Sequence, residues 1–140
     1  MQNIKLSFKG YWREERREFI PHLTGVYLVY RCVHDPIGNT VSLRDLIYIG
    51  QSTDVNVRID QHCNEQDFNS VLRGEETLCF SVAEVSSGDL DLVENALIYA
   101  QQPNLNTQGK GSYNYQEASF LIEGRCSLLR YTIFTISSSR

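Results

Sequence analysis

Asp45-Leu-Ile-Tyr48-Ile-Gly50-Gln-Ser-Thr-Asp-Val-Asn-Val-Arg58-Ile-Asp-Gln-His62 is the stretch on which the reading of this chain turns. Leu46 to Ile49 is a short apolar run of the length of a buried strand. Gly50 ends it, because a residue without a side chain lets the backbone turn sharply. Ser52, Thr53 and Asp54 follow as candidate N-caps, and a helical pattern begins at about 54 and runs to 64. On that helix Arg58 and His62 share one face. The face borders the apolar line Val55, Ile59 and Cys63, so a cation and an imidazole point along the sheet edge beside Tyr48.

Upstream, Gly25-Val-Tyr27-Leu-Val-Tyr30-Arg-Cys-Val33 is rich in β-branched and aromatic residues and reads as a strand. Val26, Leu28 and Tyr30 fall on one face, and Tyr27, Val29 and Arg31 on the other. His34-Asp-Pro-Ile-Gly-Asn39-Thr carries turn signals, so the chain should return through residues 44–50 as the antiparallel partner of 25–33. That pairing brings Tyr27 and Tyr48 into neighbouring strands. Alternation at Ile4, Leu6 and Phe8 predicts another strand over 3–11, and Trp12 to Phe19 predicts a short helical turn before Pro21. Downstream, 65–76 reads as a turn or loop, Thr77–Val85 as a strand, and Leu90–Gln101 as a helix ending before Pro103. Residues 104–114 read as loop, with two further strands expected at 117–123 and 128–136.

A length of 140 residues suits one domain. With 41% apolar and 21% charged residues the composition is that of a globular protein. No apolar run approaches the roughly 18 residues of a membrane span. The N-terminal sequence MQNIKLSFKGYWREERR lacks an apolar signal region, which predicts a cytoplasmic chain. Cys32, Cys63, Cys79 and Cys126 contain no Cys-x-x-Cys pair, which disfavours structural zinc. In the cytosol they are expected to be reduced, mostly buried thiols. The net charge of −4 is unevenly spread: residues 1–31 hold six Lys/Arg against three Glu, and residues 51–101 hold two Arg against ten Asp/Glu. A polyanion would approach over the termini and not over the acidic middle. Arg13, Arg16, Arg17 and Lys110 are the candidate nucleic-acid contacts.

Glu94 is the second unusual residue. At about 100° per residue it falls roughly 40° from Leu90, inside the apolar stripe of Leu90, Val93, Leu97 and Ile98. A carboxylate there costs several kcal/mol unless something compensates it. Pairing with an arginine such as Arg58, a bound metal, and escape to solvent at the stripe's margin each account for it.

Taken together, Gly25-Val26-Tyr27, Tyr48-Ile49-Gly50, Arg58, Glu94-Asn-Ala-Leu97-Ile98 and Pro103-Asn-Leu-Asn106 resemble the GIY-YIG nuclease domain, with Val in place of the first Ile. The resemblance spans residues 25–106, with 1–24 and 107–140 as strand-containing extensions of one domain. It implies an α+β fold: a small antiparallel three-stranded sheet flanked by helices, with extra terminal strands. It implies an endonuclease that cleaves DNA phosphodiester bonds with one divalent metal per site, Mg²⁺ or Mn²⁺. By the same resemblance Glu94 is the metal ligand, and Tyr27 is the general base or water-orienting phenol, with Tyr48 as its partner. Arg58 meets phosphate charge, His62 lies one turn beyond it, and Asn106 supports the site by hydrogen bonding.

These roles fit phosphodiester hydrolysis, which builds negative charge on the phosphoryl oxygens and the leaving oxygen. Mg²⁺ keeps most of its waters and accepts few protein ligands, and the guanidinium fork matches phosphate oxygens. The pI near 5.3 opposes strong non-specific DNA binding. The alternative expectation is therefore a catalytically silent module of the same fold that binds nucleic acid, a protein partner or a second copy of itself.

Overall fold

The computed structural model describes residues 1–65 and 68–139. Six strands form a single mixed sheet: β1 (Gln2–Arg13), β2 (Gly25–Asp35), β3 (Thr40–Ser52), β4 (Thr77–Glu84), β5 (Ala118–Gly124) and β6 (Ile133–Ile136). Their spatial order is β3-β2-β4-β1-β5-β6. Two α-helices stand among the described residues, α1 (Val55–Glu65) and α2 (Leu90–Gln101). Single 3₁₀ turns occupy Glu14–Phe19, Asn69–Val71 and Ser87–Asp89. Of the turn expected over 65–76, residues 66–67 lie outside those described. No described helix is long and apolar enough to cross a membrane.

The expected three-stranded sheet flanked by helices is therefore wrong. β3, β2 and β4 do pair antiparallel, but β4 is not an edge. Residues Leu78 to Ala83 of β4 are all buried, and the backbone groups of a buried strand must be paired on both sides. The N-terminal strand supplies the partner. Its Lys9–Arg13 half pairs antiparallel with β4, with a register shift between Gly10 and Trp12. Its Gln2–Phe8 half pairs parallel with β5, and β6 completes the sheet against β5. β1 thus joins two ladders, and the terminal segments are part of the main sheet. Residues 128–132, read as strand, precede β6 instead.

Both faces of the central strands are covered, as the unbroken apolar character of β2 requires. On one face Val26, Leu28 and Tyr30 pack with Val93, Ala96, Leu97 and Ile98 of α2 and with Leu6, Phe8 and Phe120 of the N- and C-terminal strands. On the other, Tyr27, Val29, Phe80 and Val82 pack with Val55, Ile59 and Cys63 of α1 and with Phe68. The helices thus flank opposite faces of the β3 edge.

The cysteines also differ from expectation. Cys32 and Cys79, on adjacent strands β2 and β4, form a disulfide with Cα atoms 6.2 Å apart. Tyr30 lies opposite Cys79 and Cys32 opposite Thr77, so the two sulfurs are diagonal neighbours on one face, a relation that sequence spacing does not display. Cys63 and Cys126 are free, and burial pushes the Cys63 thiol up to about 12. In a closed loop spanning a sequence separation of 47 residues, the bond should stabilise the fold mainly by restricting the unfolded chain, by about 2–4 kcal/mol. Replacing both residues, Cys32→Ala with Cys79→Ala, should lower the urea midpoint accordingly. Non-reducing peptide mapping should recover the 32–79 crosslink, and iodoacetamide should label Cys126 well before Cys63.

Candidate active site

The site is built around the β2–β3 register. Tyr27 lies opposite Gly50, and Val29 opposite Tyr48, so both phenols project from the same face with ring centroids 6.3 Å apart. A side-chain carbon at position 50 would run into the Tyr27 ring at Cζ and Oη. Glycine is needed there for close approach, and the ring lies directly over the β3 backbone. Burial pushes the Tyr27 phenol far above its ordinary range. Tyr48 adds to the rise, the Arg58 guanidinium opposes it, and Glu94 adds further. Tyr48 is half-buried and shifted the same way, by desolvation and then by Glu94, again against Arg58. Both phenols are neutral at physiological pH.

Ser52 and Asp54 start α1. The Ser52 hydroxyl bonds the Asp54 backbone N–H at 2.9 Å, and the Asp54 carboxylate accepts the Val57 N–H at 3.2 Å. The helix then delivers Arg58 to the Tyr27 side of the edge, where its guanidinium also donates to Gln61 Oε1 at 3.2 Å. Among the described residues Arg58 makes no ion pair, so the first account of Glu94, an Arg58 salt bridge, does not hold. His62 is buried one turn on. Its ring lies 6.1 Å from Tyr27, 5.5 Å from Tyr48 and 5.0 Å from Phe68. It closes the aromatic wall behind the phenols.

From the opposite face α2 presents Glu94, half-buried at the stripe's margin. Its carboxyl is raised above the usual range by desolvation, lowered in part by a hydrogen bond from Gln51, and raised by the neighbouring Asp91 charge. The Gln51 amide nitrogen lies 2.6 Å from Asp91 Oδ1 and 3.3 Å from Glu94 Oε1. A cavity of about 380 Å³ opens beside them, lined by Tyr48, Asp91, Glu94, Asn95, Asn106 and Tyr115 among others. Two carboxylates one helical turn apart are hard oxygen donors. Together with open space for coordinated water they fit Mg²⁺ or Mn²⁺, which needs few protein ligands. Among the described residues no group of three His, Cys, Asp or Glu side chains converges on a point, so the site does not offer the multi-ligand set of structural zinc.

Asn106 does not reach toward the phenols. Its carbonyl accepts the Ile49 N–H and its amide donates to the Ile49 carbonyl, both at 2.9 Å. Leu105 N–H donates to the Ile47 carbonyl at 2.9 Å. The segment after Pro103 is thereby fastened along the edge of β3, and its support of the site acts through the strand that carries Tyr48 and Gly50.

Of the four candidate nucleic-acid contacts, Arg13, Arg16 and Arg17 lie together at the end of β1 and the turn after it, and Lys110 lies apart in the loop after α2. Arg17 is held by Asp60 at 2.8 Å, and Lys110 donates to the Pro103 carbonyl at 2.8 Å. Arg13 pairs with Glu15, while Arg16 lies over the Phe19 ring, 6.0 Å from its centroid. None of them lines the cavity at Glu94. Gln51 and Asp91 were not singled out from the sequence as site residues. The spacing of Asp91 three before Glu94 on one helix face was the available signal.

Comparison with protein-family models, with curated proteins and with solved structures found no match to this chain.

The Asn106 clamp has a measurable consequence. Asn106→Leu leaves the N–H and carbonyl of Ile49 without partners in a buried setting, at a cost of about 1–3 kcal/mol for each group. Urea unfolding should show a loss of that order, and hydrogen exchange at the Ile49 amide should accelerate more than at Leu28.

Proposed function

We propose that the chain is a metal-dependent endonuclease that hydrolyses DNA phosphodiester bonds, with Glu94 holding one Mg²⁺ or Mn²⁺. The observation that carries this reading is the meeting of Tyr27, Tyr48, Arg58 and Glu94 at one end of the β3 edge, where Tyr48 and Glu94 line an open cavity. The cation, when bound, would neutralise charge on the phosphoryl and leaving oxygens. Arg58, a cation without an acidic partner among the described residues, would bind a phosphate oxygen from the α1 side. Tyr27 serves as the water-orienting phenol and not as a phenolate base, since burial outweighs the Arg58 charge. Its hydroxyl would accept a hydrogen bond from the attacking water, whose proton leaves to solvent water as the P–O bond to the leaving oxygen breaks, and Tyr48 and the His62 ring keep its orientation. Gln51 holds the Glu94 carboxylate in position and favours its ionised form.

The proposed compartment is the cytoplasm. Its reducing poise opposes the Cys32–Cys79 bond, but both residues are 0% exposed, which shields the sulfurs from thiol reductants.

The silent binding module is favoured by one specific observation: the Gln51 amide nitrogen already donates to one oxygen of each carboxylate. Plasmid, single-stranded and branched DNA incubated with Mg²⁺ or Mn²⁺ distinguish the two readings. Cleavage by the native chain that falls on the order of 10²–10³-fold in Glu94→Gln supports the enzyme. No cleavage, or equal metal-independent rates in both proteins, supports the module.

The pH profile has a defined sign. The raised Glu94 carboxyl keeps its proton to higher pH than a free glutamate. The kcat/KM profile, which reports the free enzyme, should therefore rise with pH through that elevated value and then level off. Gln51→Leu removes the bond that favours the carboxylate and should move the limb to higher pH. Asp91→Asn removes a neighbouring negative charge and should move it to lower pH, and a shift in the opposite direction in either variant contradicts the assignment.

A further inference from the structure

A second cavity lies away from these residues. It measures about 830 Å³ and is formed where the second half of β1, the following 3₁₀ turn, the β2–β3 hairpin and the loop after β5 meet. His34 in its wall is seven residues along β2 from Tyr27, roughly 23 Å at the strand rise. Its charged lining consists of Arg13, Arg16 and Arg125, with no aspartate or glutamate among the described lining residues, in a chain whose net charge is −4. Arg13 is engaged by Glu15. Arg16 and Arg125 are exposed and make no ion pair among the described residues.

The groove is also aromatic. Tyr11 and Trp12 line it, and Phe19, 60% exposed, stands at its rim. The loop that carries Arg125 is anchored at several points. Arg125 N–H donates to the Phe8 carbonyl at 2.8 Å. Ser127 N–H donates to the Tyr11 hydroxyl at 3.0 Å, and the Tyr30 hydroxyl donates to the Ser127 carbonyl at 2.8 Å. Arg16 and Arg125 therefore stand on separate elements with an apolar and aromatic surface between them. Ring faces that accept any base, bordered by cations that track a backbone, are the parts of a single-strand binding surface. A duplex offers its phosphates but keeps its base faces stacked inside.

We propose that this groove binds single-stranded nucleic acid, with a base stacked on Trp12 and phosphates held by Arg16 and Arg125. The proposal rests on the reading of the chain as acting on nucleic acid and names the strand form that it takes; capture in the groove does not require hydrolysis at Glu94.

The test uses the full chain carrying Glu94→Gln, in EDTA, with fluorescein-labelled oligo(dT), oligo(U), a duplex of equal length and a labelled mononucleotide. Anisotropy should show the single strands binding at least about tenfold more tightly than the duplex, and no measurable mononucleotide binding. Arg16→Glu with Arg125→Glu should weaken single-strand binding and make the slope of log affinity against log salt shallower by about 1.4, or about 0.7 per phosphate contact. Arg73→Glu, an exposed arginine outside the groove, should change affinity much less. Trp12→Leu should lose about 5- to 100-fold by loss of stacking, and circular dichroism identifies a variant that has unfolded. Unchanged binding in the double arginine variant, equal weakening by Arg73→Glu, or preference for duplex or mononucleotide overturns the proposal. In the native Glu94 chain with Mg²⁺, plasmid cleavage that survives Arg16→Glu with Arg125→Glu alongside unchanged binding refutes the groove and leaves the nuclease reading intact. Groove-dependent binding in a chain that never cleaves DNA refutes the nuclease reading alone.

Discussion

The contact between the Tyr27 ring and the backbone of Gly50 sets the geometry of this end of the molecule. A ring can lie flat against a neighbouring strand only where that strand lacks a side chain, and Gly50 provides the gap. The residues on either side of the gap have distinct positions because of it. Tyr48 precedes it on the same face, Gln51 follows it and reaches toward α2, and Ser52 and Asp54 start α1. One glycine therefore lets two helices, packed on opposite faces of the sheet, bring Arg58 and Glu94 around a single edge.

This arrangement also explains the electrostatics. The phenols and Glu94 are drawn partly out of water by the packing that brings them together, and desolvation is the largest influence on all three. Arg58 offsets part of that for the tyrosines, and the Gln51 amide does so for Glu94. Tyr27, Tyr48 and Glu94 are thus each shifted toward the protonated form relative to the same group in water.

Local pattern was a good guide wherever an element is defined by its own neighbours. The run Leu46–Ile49, the β-branched stretch of β2 and the apolar stripes of α1 and α2 are legible because period and capping residues lie within about a dozen positions. Sheet order was not legible. Ile4, Leu6 and Phe8 show that β1 is a strand but cannot show that it pairs with β5 before the Gly10–Trp12 register shift and with β4 after it. The Cys32–Cys79 pairing was hidden for the same reason, since it follows from β2–β4 register. At the site, Arg58 beside Tyr48 followed from helix spacing, Tyr27 beside Tyr48 from the expected strand pairing and Glu94 from its misplaced charge, while their chemical roles came from the resemblance. The bridging role of Gln51 depends on how α2 lies against β3, and the ties of Arg17 to Asp60 and Lys110 to Pro103 depend on folded neighbours that charge counting ignores.

The fastening of Leu105 and Asn106 onto β3 reaches beyond the local site. An open strand edge is a template on which other chains add, and here the apolar middle of one outer strand is already occupied by the protein's own segment. The rest of that strand carries Arg44 and Asp45, which discourage pairing. The four-residue β6 is the opposite border of the sheet, so among the described residues one border is fastened by the chain's own segment and the other offers only a short row of backbone groups.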